Sequence, residues 1–235
     1  MGAAEQLHHV TPEIDSSQEA ALVVCHDPEG YYWKEAEKVE AEVFIDSEYV
    51  RNEDELVAEY AAYEKKSQMI ALVEDGEVIG STRIIRYALG TGFKTLNDAA
   101  LGKLAIDPRG REILDDCVPS ETIEVGTIAL KRGYRAQDGV HKDYATTMYG
   151  AIYKLAIEQG TPNVIASFDA GYYHGFEAFF GGTVKALGPP VHYMGSDTVV
   201  AMLNVNESID YFQRTGQDAI VELLLESGNH MANEY

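Results

Sequence analysis

The feature that most constrains the fold of this chain is the order in which strand-like and helix-like segments alternate along it. Short apolar runs bounded by turn residues predict strands, and apolar residues repeating every three or four positions predict the helices between them. The pair Asp75-Gly76 separates two β-rich runs and is a strong short-range indication of a hairpin. Such alternation predicts an α/β (α+β layered) domain with a sheet in the middle.

The segments follow one another without an internal repeat or a Pro/Ser-rich linker, so we expect a flexible tail over residues 1–18 and a single domain over residues 19–235. The stretch from Ala88 to Ser120 mixes Gly, Pro and charge and is long enough to be a functional loop. The predicted strands are Ala20–His26, Met69–Glu74, Glu77–Tyr87, Thr122–Leu130, Asn163–Phe168, Thr183–Leu187 and Thr198–Val205. The predicted helices are Tyr31–Phe44, Asn52–Lys65, Leu96–Leu104, Asp143–Gln159, Tyr172–Phe180 and a C-terminal helix over Ile209–Leu225.

The acidic balance of the chain excludes several classes of partner. Eighteen Lys and Arg residues stand against 39 Asp and Glu residues, which gives a formal net charge of −21. Such a chain repels nucleic-acid phosphates and anionic lipid, so we expect no nucleic-acid partner and no stable membrane insertion. Because it has neither a secretion signal nor a run of about 20 apolar residues, we expect a soluble, cytoplasmic protein. A high-salt cytoplasm would equally favour this acidity.

No metal site and no tightly bound cofactor are predicted. Cys25 and Cys117 lie far apart and outside any C-x-x-C spacing, which is typical of buried thiols. The histidines are scattered, and the sequence contains no H-E-x-x-H, G-x-S-x-G, Walker or dinucleotide-binding motif.

Glu124 is the first candidate for chemistry. It stands in the strand TIEVGTIAL, where alternation would place Thr122, Glu124, Gly126, Ile128 and Leu130 on one face. A carboxylate in an apolar strand is costly unless it is paired or used, and a glycine two residues later suggests a bulge or a close approach. Glu124 is therefore either a salt-bridged or edge-exposed residue, or a general base whose pKa is raised by burial.

The order of elements from about Ala20 to Val205 resembles that of the GNAT acyltransferase superfamily, which implies a central mixed, mostly antiparallel sheet flanked by helices. The stretch EVGTIAL further resembles the corresponding strand of acyl-homoserine-lactone (autoinducer) synthases and long-chain N-acyl amino acid synthases. The stretch GSTRIIR, which contains Arg83, resembles the second hairpin strand of those families. Val43-Phe44 resembles the end of their aromatic entry helix. The resemblance implies acyl transfer to an amine, with Glu124 as base and Arg83 near the acceptor's carboxylate.

The chain also departs from the autoinducer synthases. Those enzymes carry arginine where this chain has Thr127, and their arginine-rich first helix is acidic here, at Glu37, Glu40 and Glu42. An N-acyl amino acid or another acylated amine therefore fits better than a lactone made from S-adenosylmethionine. The residues that we expect to contact the substrate are Arg83, Thr127, Ser167 and Phe176.

A basic turn follows the Glu124 strand. Four of the eighteen basic residues fall within twelve positions, at Lys131, Arg132, Arg135 and Lys142, just before a predicted helix. The N-terminus of a helix favours phosphate, and in the GNAT superfamily this loop holds the donor's pyrophosphate. The resemblance implies donor binding by Ile128, Ala129, Leu130, Arg132, Arg135 and Gly139.

The turn departs from the family pattern because Asp138 takes the place of its first glycine. A carboxylate beside a pyrophosphate is unfavourable. The phosphopantetheine arm carries a single phosphodiester, which needs fewer hydrogen-bond donors from the loop. A basic island on an acidic protein would also attract an acidic carrier protein. We therefore expect acyl carrier protein as donor in preference to coenzyme A; an ordinary solvated turn is the alternative.

An aromatic cluster, YYHGFEAFF, lies between Gly171 and Gly181. Such a cluster usually belongs to the core. It also lies where GNAT enzymes place a helix with a tyrosine general acid, which nominates Tyr172 or Tyr173. The same aromatic residues could line an acyl-chain tunnel.

Taken together, these features predict an N-acyltransferase that moves a fatty acyl group from a phosphopantetheine thioester to the amine of an amino acid or related small molecule. Acyl-ACP or acyl-CoA would be its co-substrate. The alternatives are an autoinducer synthase, a small-group acetyltransferase and a catalytically silent acyl-binding module that retains the fold.

Overall fold

The computed structural model describes residues 20–135, 144–227 and 231–235. Nine strands within these ranges form one sheet. They are β1 (Ala21–Cys25), β2 (Ser67–Glu74), β3 (Glu77–Arg86), β4 (Thr122–Leu130), β5 (Asn163–Asp169), β6 (Val184–Ala186), β7 (Val191–Tyr193), β8 (Ser196–Asn204) and β9 (Met231–Glu234).

The helices of the described chain are α1 (Tyr31–Asp46), α2 (Glu53–Tyr60), α3 (Lys94–Ala100), α4 (Pro108–Asp115), α5 (Tyr144–Gln159), α6 (Ala170–Phe179), α7 (Val205–Arg214) and α8 (Asp218–Ser227). Helix α2 begins as predicted, because the side chain of Asn52 accepts a hydrogen bond from the backbone N–H of Glu55. None of the described helices is both long and apolar enough to cross a membrane.

The sheet has the strand order β6-β8-β5-β4-β3-β2-β1-β9, and β7 pairs with β8. Neighbouring strands are antiparallel except at β4–β5 and β1–β9, which are parallel. The prediction of a mixed, mostly antiparallel sheet flanked by helices is confirmed.

Two layers of helices cover the sheet. Helices α5 to α8 pack against one face around a large apolar cluster that includes Ile123, Val125 and Phe180. Helices α1 to α4 cover the other face in smaller clusters, which include Trp33, Ile85 and Ile165. Polar side chains are buried at the centre of this second face, so the candidate site lies there.

Several elements differ from the sequence-based prediction. The C-terminal helix expected over Ile209–Leu225 is two helices, because the chain turns at Gly216, where φ is +72°. Helix α4 and the short strands β7 and β9 were not predicted, since each is too short to show a periodic pattern. Strand β9 pairs with β1, and its Glu234 accepts hydrogen bonds from the backbone N–H groups of Tyr32 and Trp33 at the start of α1.

The predicted bulge at Gly126 is present, and it corrects the predicted alternation of β4. Arg83 pairs with Thr127 and Ile84 with Val125, so Gly126 has no partner on β3. Ile128 and Leu130 consequently pack in the same cluster as Val125, while Thr127 lies with Glu124 on the α1 face. The expectation that Ile128 and Leu130 share a face with Glu124 was wrong, because one extra residue reverses the alternation beyond it.

The two cysteines are free thiols. Cys25 is buried, as predicted, and Cys117 is half-buried. The predicted flexible tail over residues 1–18 lies outside the described residues.

Candidate active site

A cavity of about 90 Å³ opens on the α1 face of the sheet at the point where β4 and β5 separate. The two strands pair only as far as Val125 and Ala166. Beyond that pair, Gly126 of β4 and Ser167 of β5 line the cavity. The other lining residues are Phe44, Tyr49, Tyr60, Lys94, Thr95, Glu124, Asp169, Tyr193, Met194, Ser196 and Thr198.

Glu124 lines this cavity and is only 1% exposed. Its Oε1 accepts hydrogen bonds from the backbone N–H and the hydroxyl of Thr95, at 3.0 and 2.8 Å. Since the Thr95 hydroxyl uses its proton on Glu124, it accepts the proton of Ser167, whose Oγ is 2.9 Å away. The second carboxylate oxygen, Oε2, is buried and has no hydrogen-bond partner.

Burial raises the pKa of Glu124 from 4.5 to about 7, although the hydrogen bonds from Thr95 and the charge of Lys94 oppose the shift. Glu124 makes no ion pair with any described residue and is not at an exposed edge, so the two structural alternatives expected from the sequence do not apply, and its role as a general base stays a prediction. A carboxyl group with a pKa near 7 exchanges protons readily at neutral pH.

Tyr60 holds the bulge beside Glu124. Its hydroxyl donates a 2.9 Å hydrogen bond to the carbonyl oxygen of Gly126. Its ring lies against two cations, with the Arg83 guanidinium carbon 4.9 Å and the Lys94 Nζ 5.3 Å from the ring centroid. The position of the Gly126 carbonyl is therefore fixed from the α2 side.

Among the described residues that line the cavity, Lys94 is the one that is positively charged. Its Nζ donates to Asp98 Oδ2 at 2.7 Å and to the hydroxyl of Tyr193, and it lies 3.0 Å from Glu59 Oε2. The Tyr193 hydroxyl donates in turn to Asp98 Oδ2 at 2.6 Å. This network joins α2, α3 and β7 over the cavity.

Tyr49 and Asp169 line a further edge of the cavity. Burial, together with the neighbouring Asp169 and Tyr172, raises the pKa of Tyr49 to about 12, while Arg135 opposes the shift. Asp169 also caps α6, since its Oδ1 accepts the backbone N–H of Gly171 at 2.8 Å. Tyr172 and Arg135 are thus electrostatic neighbours of this edge.

Arg83 lies close to the site but is bound to acidic residues. Its Nε and Nη2 donate to the two carboxylate oxygens of Glu40, at 3.0 and 2.6 Å, and Glu37 Oε1 is 3.5 Å from Nη2. Thr127 also donates its hydroxyl proton to Glu40. Neither Arg83 nor Thr127 lines the cavity, so a contact of either with an acceptor stays a prediction.

The residues nominated for donor binding lie along the second half of β4 and just after it. Ile128, Ala129 and Leu130 continue the strand past its separation from β5. Arg132 is exposed, while the Nε of the half-buried Arg135 donates to the carbonyl oxygen of Leu130 at 2.7 Å. The rest of the predicted phosphate loop, with Gly139, lies outside the described residues.

The aromatic nominees separate into two groups. Tyr172 is 66% exposed and lies near Tyr49. Tyr173 is buried and donates its hydroxyl proton to Glu177 at 3.2 Å, and the half-buried Phe176 packs against Phe168 and Phe180. Neither Tyr173 nor Phe176 lines the cavity, because their side chains pack on the α5 side of the sheet.

Sequence reasoning missed most of the residues around Glu124. Thr95 and Lys94 come from the segment predicted to be a functional loop, and that prediction was the available indication. No sequence pattern indicated Tyr60 or Tyr193, because each reaches the cavity from an element that is distant in sequence from Glu124. No group of three His, Cys, Asp or Glu side chains suited to a metal ion occurs in the described ranges.

Solved structures with similar folds include two acyl-homoserine lactone synthases and an N-acyl amino acid synthase. A CoA-dependent acyl-homoserine lactone synthase, BjaI, solved with SAM and isopentyl-CoA, is 14% identical with a TM-score of 0.55, and the match covers 92% of this chain and 93% of that one. The AHL synthase LasI is 17% identical with a TM-score of 0.56, over 80% of this chain and 90% of that one. FeeM, an N-acyl amino acid synthase from uncultured soil microbes, is 14% identical with a TM-score of 0.57, over 75% and 92%.

No protein-family model matches the chain, and no curated protein matches it either. At identities of 14 to 17%, similarity between structures establishes the fold. The resemblance expected from the order of elements is therefore confirmed at the level of architecture: this chain has the fold of the GNAT-type acyltransferases.

Proposed function

We propose that this protein is an N-acyltransferase that moves an acyl group from a phosphopantetheine thioester to the amine of an amino acid or related small molecule. The observation that carries the proposal is Glu124: a buried carboxyl group with one unpartnered oxygen, in a cavity at the point where β4 and β5 separate. The carboxyl group is positioned to take a proton from an amine that enters this cavity.

The reaction follows from the geometry of β4. The acceptor amine loses a proton to Glu124, directly or through one water molecule, and attacks the carbonyl carbon of the thioester. Backbone N–H groups of β4 beyond Val125 are no longer paired with β5, so they are available to polarise that carbonyl. The C–N bond forms as the C–S bond breaks, and the departing thiolate takes a proton from solvent or from Tyr172.

The charge distribution favours an acyl carrier protein as donor. On a chain of net charge −21, Lys131, Arg132 and Arg135 follow directly after the donor half of β4. Lys131 is paired with Glu77 at 2.6 Å, Arg132 is exposed, and the Nη2 of the half-buried Arg135 is buried without a hydrogen-bond partner. Arg132 is suited to an acidic carrier surface, and Arg135 to a phosphodiester that enters beside β4.

The test is to incubate the protein with acyl-carrier-protein and coenzyme A thioesters of several chain lengths and a panel of amines, and to detect amides by mass spectrometry. Glu124→Gln should lower kcat/KM by roughly 10²- to 10⁴-fold and remove its rise with pH through about 7. Glu121→Gln, an exposed glutamate just before β4, is the matched control and should leave the rate unchanged. Wild-type turnover in Glu124→Gln at every pH would refute the base assignment.

The donor assignment has its own test. Arg132→Gln and Arg135→Gln should raise the KM for the carrier-protein thioester, and the increase should be steepest at low salt. If both donors are used equally and neither substitution changes their KM, the preference for a carrier protein is wrong. Absence of amide product with every pair of substrates would instead favour the acyl-binding module.

A further inference from the structure

The charges around the cavity distinguish between possible acceptors. A lysine ammonium has three N–H donors. In Lys94 these are taken up by Asp98, Tyr193 and Glu59, all within hydrogen-bond distance of Nζ. The cation that lines the cavity therefore has no donor left for a carboxylate of the substrate.

The neighbouring arginine is also engaged. Arg83 donates from two nitrogens to Glu40 and lies against the ring of Tyr60, outside the cavity lining. A substrate carboxylate would have to displace Glu40 to reach these nitrogens. Such an exchange would leave the displaced carboxylate buried without a partner.

Of the two carboxylates among the described residues that line the cavity, Glu124 retains a free acceptor oxygen. Glu124 is 1% exposed and its Oε2 has no partner. Asp169 accepts hydrogen bonds from the backbone N–H of Gly171 and the hydroxyl of Tyr49. An ammonium group entering the cavity would find a free acceptor oxygen. A carboxylate entering it would meet Glu124 and Asp169, and the ammonium of Lys94 has no N–H left to offset their repulsion.

We infer that the acceptor is a primary amine without a carboxylate group, such as an arylalkylamine or an alkyl diamine. The inference rests on the proposed acyl transfer and narrows its acceptor. A second cavity of about 460 Å³ shares Tyr49, Tyr193 and Met194 with the first, and it provides space for the rest of such an amine. Its lining includes Lys103, whose Nζ is already paired with Asp98 Oδ1 at 3.0 Å.

Matched pairs of acceptors test the inference directly. Tyramine is compared with tyrosine, phenethylamine with phenylalanine, and cadaverine with lysine, using one acyl donor and mass spectrometry of the amide. In each pair the amine should have the higher kcat/KM, by about 100-fold, because the amino acid buries a carboxylate without a partner. Equal rates, or faster reaction of the amino acids, would overturn the inference while leaving the acyltransferase proposal intact. No amide from any acceptor would refute the acyltransferase proposal itself.

A substitution at Glu59 tests the role of Lys94. Glu59→Ala releases one donor of the Lys94 ammonium, so the preference for the amine over the amino acid should fall about tenfold. Glu53→Ala, an exposed glutamate on the same helix, is the control and should leave the preference unchanged. An unchanged preference in Glu59→Ala would contradict the assigned role of Lys94.

If amino acids are preferred and Arg135→Gln abolishes that preference, Arg135 holds the carboxylate and the inference is wrong.

Discussion

Glu40 and Glu124 are equally buried, each 1% exposed, yet their carboxylates have very different partners. Glu40 on α1 accepts two hydrogen bonds from Arg83 and one from Thr127, so both of its oxygens are satisfied by protein groups. Glu124 on β4 receives both of its hydrogen bonds on one oxygen, and the other has none. The two sites lie on the same face of β4, on either side of the bulge at Gly126.

The difference separates a structural role from a chemical one. A buried carboxylate whose two oxygens are taken up by a bidentate arginine and a hydroxyl fixes α1 against β3 and β4. A buried carboxyl group with a free oxygen and a pKa near 7 is poised to change its protonation state. Three substitutions break or sharpen this comparison, in order of decreasing expected effect on stability.

The largest effect is expected for Arg83→Met, which leaves Glu40 buried without its cation. We expect the free energy of unfolding to fall by about 3–5 kcal/mol, measured by chemical denaturation. The double variant Glu40→Met/Arg83→Met removes both charges and should recover most of this loss. A double variant as unstable as the two single variants combined would show that the two side chains do not act as a pair.

The second effect is a pH dependence of stability that originates at Glu124. Its pKa is higher in the folded protein, about 7, than its ordinary value of 4.5, so the folded state binds more protons between these pH values. Glu124 therefore makes its full contribution to the free energy of unfolding below pH 4.5. This contribution, about 3 kcal/mol in total, is lost as the pH rises through about 7.

Denaturation at about pH 5 and about pH 8 measures this contribution. In Glu124→Gln most of this decrease in stability between about pH 5 and about pH 8 should be absent, because glutamine does not ionise. The exposed Glu121→Gln variant should keep the wild-type dependence on pH. Identical pH dependence in the wild type and Glu124→Gln would show that Glu124 is ionised as easily in the folded as in the unfolded state.

The smallest effect on stability is expected for Gly126→Ala, at the bulge of β4 that separates Glu124 from Thr127, the residue hydrogen-bonded to Glu40. An added Cβ would lie 3.1 Å from Tyr60 Cε1 and 3.3 Å from Ile85 Cδ1, so the ring of Tyr60 must move. We expect a loss of about 1–3 kcal/mol from overpacking. Gly175→Ala on α6 is the matched control: its Cβ would have no atom within 4 Å, and alanine favours a helix. Equal stability of both variants would show that the bulge tolerates a side chain.

Local patterns predicted most of the fold correctly. The strand Thr122–Leu130 and the hairpin around Asp75-Gly76 were recognisable because alternation and turn residues act over a few positions. Strand β9 was not, because a four-residue edge strand is defined by its pairing with β1 some two hundred residues earlier. Likewise, the single helix expected over Ile209–Leu225 was interrupted at Gly216.

The site divides in the same way. The sequence by itself determined that a carboxylate stands in an apolar strand two residues before a glycine, which was enough to nominate Glu124 and to expect a bulge. Only the tertiary structure decided that Arg83 is paired with Glu40, that Lys94 is saturated by Asp98, Tyr193 and Glu59, and that one oxygen of Glu124 has no partner. The physical reason is that hydrogen bonding and desolvation depend on groups that converge from distant segments, whereas alternation and turn preference depend on neighbours in the chain.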